Sequence, residues 1–74
     1  MNEQKFIDAV RKAAHPQKII RFSVFTHGAR VNVYAEKAPG GRFYCVHFMR
    51  NMTAKKIEER AMESIQLFDN ELYA

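Results

Sequence analysis

The chain has 74 residues, 47% hydrophobic and 27% charged, with 12 Lys+Arg against 8 Asp+Glu for a net charge of +4. That length gives one small domain spanning residues 1–74, with a single thin core and little stability left over to hold an elaborate active site. The composition excludes disorder, the single cysteine excludes a disulfide framework or a cysteine-based zinc finger, and no apolar run approaches the roughly 18 residues of a membrane span. With no segment that reads as a signal peptide, a cytoplasmic protein is expected.

The first helix is predicted over residues 2–14. Phe6, Ile7, Val10, Ala13 and Ala14 recur at helical spacing. Asn2 is the expected N-cap, Glu3 favours the positive end of the helix dipole, and His15-Pro16 is the stop. A strand follows over residues 18–26, half-buried by its period: Ile20, Phe22 and Val24 alternate with Arg21 and Ser23, though imperfectly, since Ile19 and Phe25 are apolar on the other side. His27-Gly28 reads as a tight turn in which Gly28 is free to take positive φ. The next strand, residues 30–36, alternates cleanly: Val31, Val33 and Ala35 face one way, Arg30, Asn32, Tyr34 and Glu36 the other.

Ala38-Pro39-Gly40-Gly41 places Pro and then Gly at the centre of a type II turn. The third strand, residues 42–49, is apolar on both faces: Phe43, Cys45 and His47 on one, Tyr44, Val46 and Phe48 on the other. Two short turns make the three strands an antiparallel meander. The last helix is predicted over residues 53–72, with Thr53 as N-cap and a hydrophobic staple between Met52 and Ile57. Its buried stripe is Ala54, Ile57, Ala61, Ile65, Phe68 and Leu72. The fold class is therefore α+β: a two-layer sandwich of order α-β-β-β-α, with both helices on one face of the sheet.

Catalysis draws only on Cys45 and His47, which share a strand face but have no evident third group to orient the base. The chain is expected not to be an enzyme. His15, His27 and His47 fall in three different elements and form no metal-ligand spacing. Pro39-Gly40-Gly41 joins two strands and opens no helix, so it is no phosphate loop. No metal or cofactor is expected.

Charge is more informative. Residues 1–50 hold nine basic and three acidic side chains, a net of +6, and residues 51–74 hold three basic and five acidic, a net of −2. Lys55 and Lys56 sit in the first turn of the last helix, where the dipole favours acids. A Lys55–Glu59 pair partly compensates. Two lysines beside free backbone N–H groups, joined by Arg50, read as an anion site.

The order α-β-β-β-α, this length and the pair Lys55-Lys56 at the start of the second helix resemble the double-stranded RNA-binding domain. The resemblance implies that Lys55 and Lys56 contact phosphates, that His27 and Arg30 lie near the hairpin loop that reaches a minor groove, and that Gln4, Lys5 and Asp8 of the first helix supply contacts to the adjacent minor groove. Such a domain reads duplex shape, phosphates and 2′-hydroxyls rather than sequence. The expected nucleic-acid-binding set is Lys55, Lys56, Arg50, Arg30, His27 and Lys5.

A second reading is a small protein-binding inhibitor or adaptor, of the kind that phages and mobile elements encode. Two helices cover one face of the sheet, which leaves either Phe43 and His47 or Tyr44 and Phe48 as a contact patch. The same face serves equally for a homodimer, and the third strand, as a sheet edge, can pair with another chain.

Overall fold

A computed structural model describes residues 3–15, 17–37 and 42–73, with side chains to residue 70. Asn2, Pro16, the turn at residues 38–41 and the side chain of Leu72 lie outside the described residues. The elements are α1 (Gln4–Ala13), β1 (Ile19–His27), β2 (Arg30–Lys37), β3 (Phe43–Met49) and α2 (Ala54–Tyr73). The three strands form one antiparallel sheet in the order β1-β2-β3, and the expected α+β fold is the fold observed.

Glu3 occupies the N-cap of α1, its carbonyl accepting from the N–H groups of Phe6 and Ile7 at 3.1 and 3.3 Å. The helix buries Phe6, Ala9 and Val10, and its last turn tightens as the His15 N–H bonds to the Lys12 carbonyl at 3.4 Å. Helix α2 starts as its sequence requires. Thr53 Oγ1 accepts from the Lys56 N–H at 3.3 Å, Ile57 is buried, and Met52 packs against the core. Ala54 departs from the expected stripe and is exposed.

Register places Phe22, Val24 and Thr26 of β1 opposite Ala35, Val33 and Val31 of β2, and these opposite Tyr44, Val46 and Phe48 of β3. Side chains alternate across a strand, so all nine share the face on which the helices pack. The core is Val31, Val33, Ala35, Tyr44, Val46 and Phe48 from the sheet, with Phe6, Ala9, Val10, Ala14, Ile57, Ala61 and Ile65 from the helical layer. Phe6 meets Phe48 at a centroid distance of 5.1 Å, and Tyr44 meets Phe68 at 6.1 Å. Ile20 was expected inside but is exposed. The register slips between Ile19 and Arg21, so Ile20 is the extra residue of a bulge and Ile19 takes the inward place.

One charged side chain lies within this layer. The Lys37 ammonium sits 4.5 Å from the Tyr44 ring centroid and 3.3 Å from its hydroxyl, which in turn donates to Asp69 Oδ1 at 2.7 Å. The Lys37–Asp69 separation is 3.9 Å, so the buried cation is matched rather than stranded. No helix of the described residues is long and apolar enough to cross a membrane.

Candidate functional site

The hairpin end of the domain gathers side chains from four separate stretches of sequence. Strands β1 and β2 close through Gly28-Ala29, with His27 paired to Arg30. Gly28 has φ of +61° and Ala29 does not have positive φ, the pattern of a type II′ turn. The Arg50 N–H donates to the Ala29 carbonyl at 2.6 Å, which pins the end of β3 to the hairpin tip. Four residues later the chain enters α2, whose first turn carries Lys55 and Lys56. Lys5, in the first turn of α1, faces Ala54 and Glu58 of α2 across a groove of about 240 Å³. The Phe6–Phe48 contact holds that turn of α1 over the same end of the sheet, since Phe48 pairs with Val31 next to the hairpin.

All six residues of the expected nucleic-acid-binding set are exposed and belong to this end. Among the described residues, no carboxylate lies within ion-pair distance of Lys5, Arg30, Arg50 or Lys55. The expected Lys55–Glu59 pair does not form. Glu59 instead pairs with Lys56 at 3.8 Å, and Glu58 reaches across to Lys12 of α1 at 3.6 Å. At the other end Arg21 meets Glu36 at 2.7 Å and Lys37 meets Asp69, although among the described residues Lys18 and Arg42 have no ion pair there.

Arg60 joins the hairpin end without having been expected there. With Arg30, His47, Phe48, Met49 and Met52 it lines a cleft of about 530 Å³, so two guanidinium groups flank one depression. Its Nε donates to the His47 carbonyl at 3.1 Å. Its place on the polar side of α2 gave no sign of this. The contact depends on how the helix lies against β3.

The uncovered face of the sheet settles which aromatic residues are accessible. Tyr44 and Phe48 are in the core and cannot form a contact patch, whereas Phe43 and His47 are on the open face. They are joined by Phe25 and Tyr34, with ring centroids 5.5 Å apart for Phe25–Tyr34 and 5.9 Å for Tyr34–Phe43. A cleft of about 270 Å³ lies among Arg21, Ser23, Phe25, Tyr34, Glu36 and Phe43.

Strand β3 is a sheet edge, as expected, but part of that edge is occupied. The bond from Lys37 N–H to the Arg42 carbonyl at 2.7 Å and that from Arg50 N–H to Ala29 fix the phase of the ladder. Odd-numbered β3 residues therefore turn their backbone groups outward. Of these, the His47 carbonyl is taken by Arg60, the Met49 N–H by Met52 Sδ at 3.2 Å, and the Met49 carbonyl by the Met52 N–H at 3.1 Å. An added strand would find the hairpin half of this edge already bonded.

Three comparisons with known proteins returned no match: no family model, no curated protein and no solved structure is similar to the chain.

Proposed function

We propose that the domain is a non-catalytic nucleic-acid-binding module that takes duplex RNA at its hairpin end. Lys5, Arg30, Arg50, Lys55 and Lys56 contact phosphates, His27 lies at the hairpin tip, and Arg60 adds a further cation beside Arg30. The support is one observation: four cations with no ion pair among the described residues, Lys5 from α1, Arg30 from β2, Arg50 just after β3 and Lys55 from α2, lie toward one end of a small domain. Asp8 and Glu58 line the Lys5 groove, and Glu58, Glu59 and Glu63 lie beside Lys55, so the acids temper the positive surface there. A polyanion releases counterions on meeting the cations that stay unpaired.

Duplex RNA is chosen over other polyanions because the order of elements is that of the double-stranded RNA-binding domain. Both hairpin and α2 present their basic residues at one end, which suits contacts across grooves and the phosphates between them. A two-residue hairpin loop does not reach deep into a groove. Recognition is therefore dominated by phosphate, and it is weakly selective for sequence.

The test is fluorescence anisotropy with short duplex RNA, duplex DNA and single-stranded RNA at low salt. Lys55→Glu with Lys56→Glu weakens binding at least tenfold while circular dichroism stays unchanged. Binding that is indifferent to this reversal contradicts the assignment.

A protein-binding inhibitor or adaptor is the second reading, and one observation favours it. Phe25 and Phe43 are 59% and 57% exposed on either side of Tyr34, on a face that no helix covers. Light scattering after size exclusion separates its two forms. A dimer broken by Phe43→Ser indicates self-association through that face, and a monomer leaves the face to a different partner.

A further inference from the structure

Cross-strand register assembles four polar side chains in the middle of the open face. Asn32 stands opposite His47, and Tyr34 stands opposite Cys45. Both are non-hydrogen-bonded pairs, the kind that brings side chains closest. His47 Nδ1 lies 2.7 Å from Asn32 Oδ1, and His47 Nε2 lies 3.7 Å from Cys45 Sγ. A carboxamide oxygen can only accept, so the proton of the neutral ring sits on Nδ1. Nε2 is then a bare lone pair aimed at the thiol. The Arg60 bond to the His47 carbonyl fixes the backbone beneath the imidazole. Hydrogen bonding to the neighbouring Cys45, then its charge, then burial push the Tyr34 phenol above its ordinary value.

A nucleophile, a base and a group that orients the base are the three parts of an activated thiol. Asn32 is the orienting group for which the sequence offered no candidate, because it comes from the neighbouring strand. We propose that Cys45 is a base-assisted nucleophilic thiol, and that the open face is a site of mixed-disulfide formation with small disulfides. His47 Nε2 takes the thiol proton as Cys45 Sγ attacks one sulfur of the disulfide. The new bond joins Cys45 to that sulfur, the original S–S bond breaks, and the other sulfur leaves as a thiolate that recovers the proton from His47. Cys45 is oxidised and the leaving sulfur is reduced. The reaction is a stoichiometric modification without turnover, and it places the adduct beside Phe43 and Tyr34 on the face that would meet a protein partner. It stands independently of the basic hairpin end.

The experiment follows adduct formation between the full chain and oxidised glutathione near neutral pH by intact mass. The folded chain is compared with the same chain in urea, where His47 is no longer held at the thiol. Folded Cys45 is expected to react about tenfold faster than unfolded Cys45. His47→Ala and His47→Gln both bring the folded rate down to the unfolded one. Asn32→Ala lowers it severalfold, and Asn32→Asp, which keeps an acceptor for Nδ1, retains it. Recovery by Asp separates orientation of the imidazole from mere packing. A folded rate no higher than the unfolded one overturns the proposal, as does a His47 variant that stays folded and keeps the full rate.

Discussion

Phe43 and Phe48 belong to the same strand, yet Phe43 is 57% exposed and Phe48 is 1% exposed. An odd number of positions separates them, and on a pleated strand that parity decides everything. The inner face became a core because two helices had an apolar stripe to bury. The outer face kept Asn32, Tyr34, Cys45 and His47, whose side chains face away from the helical layer and meet one another across the strands, while the His47 carbonyl accepts from Arg60 of α2. One face holds the fold together, and the other is free to carry chemistry or contacts.

The sharpest way to break this contrast is to remove each ring in turn. Phe48→Ala empties a site packed by Phe6 and should cost about 3–5 kcal/mol in urea unfolding. Phe43→Ala should stay within about 0.5 kcal/mol, as expected for an exposed position. Equal losses would mean that the outer face is also buried, for instance in a dimer.

A parallel contrast separates two lysines. Lys37 is buried and held by Tyr44 and Asp69, whereas Lys55 is exposed and has no carboxylate partner among the described residues. Asp69→Ala strips the buried cation of its counter-charge and should cost about 1–3 kcal/mol, less than a fully buried pair because Asp69 is partly exposed. Lys55→Ala should leave the unfolding midpoint unchanged, and any loss it causes should appear in binding.

Gly28 gives a smaller effect. A Cβ at this position would meet nothing within 4 Å, so Gly28→Ala pays only for positive φ, about 1 kcal/mol. Thr53→Ala removes the oxygen that caps α2 and should cost about 1 kcal/mol or somewhat less.

The order of elements and most of the core were legible because β2 alternates cleanly and both helices have one apolar stripe. Ile20 was misplaced because a bulge changes parity without a local sign in the residues. The accessible face of β3 could not be chosen from its own residues, since both faces are apolar; the choice follows from which face of β2 is buried. The six basic residues were legible singly, from their misfit with the helix dipole or their place near a turn. Their convergence on one end depends on the Arg50–Ala29 bond and on how α1 lies over Phe48. Asn32 and Arg60 were missed for the same reason: each acts across strands or elements, where local spacing carries no information.

The central claim is that the hairpin end is a phosphate-binding surface. Its most direct test is the salt dependence of duplex RNA affinity by anisotropy. Four to six phosphate contacts predict a log–log slope near −4 to −5, a fall of roughly 10²–10³ in affinity between 50 and 200 mM salt, with a shallower slope for Lys55→Glu with Lys56→Glu. A flat dependence, or no binding at the lowest salt, would contradict it and leave these cations as solvated surface charge.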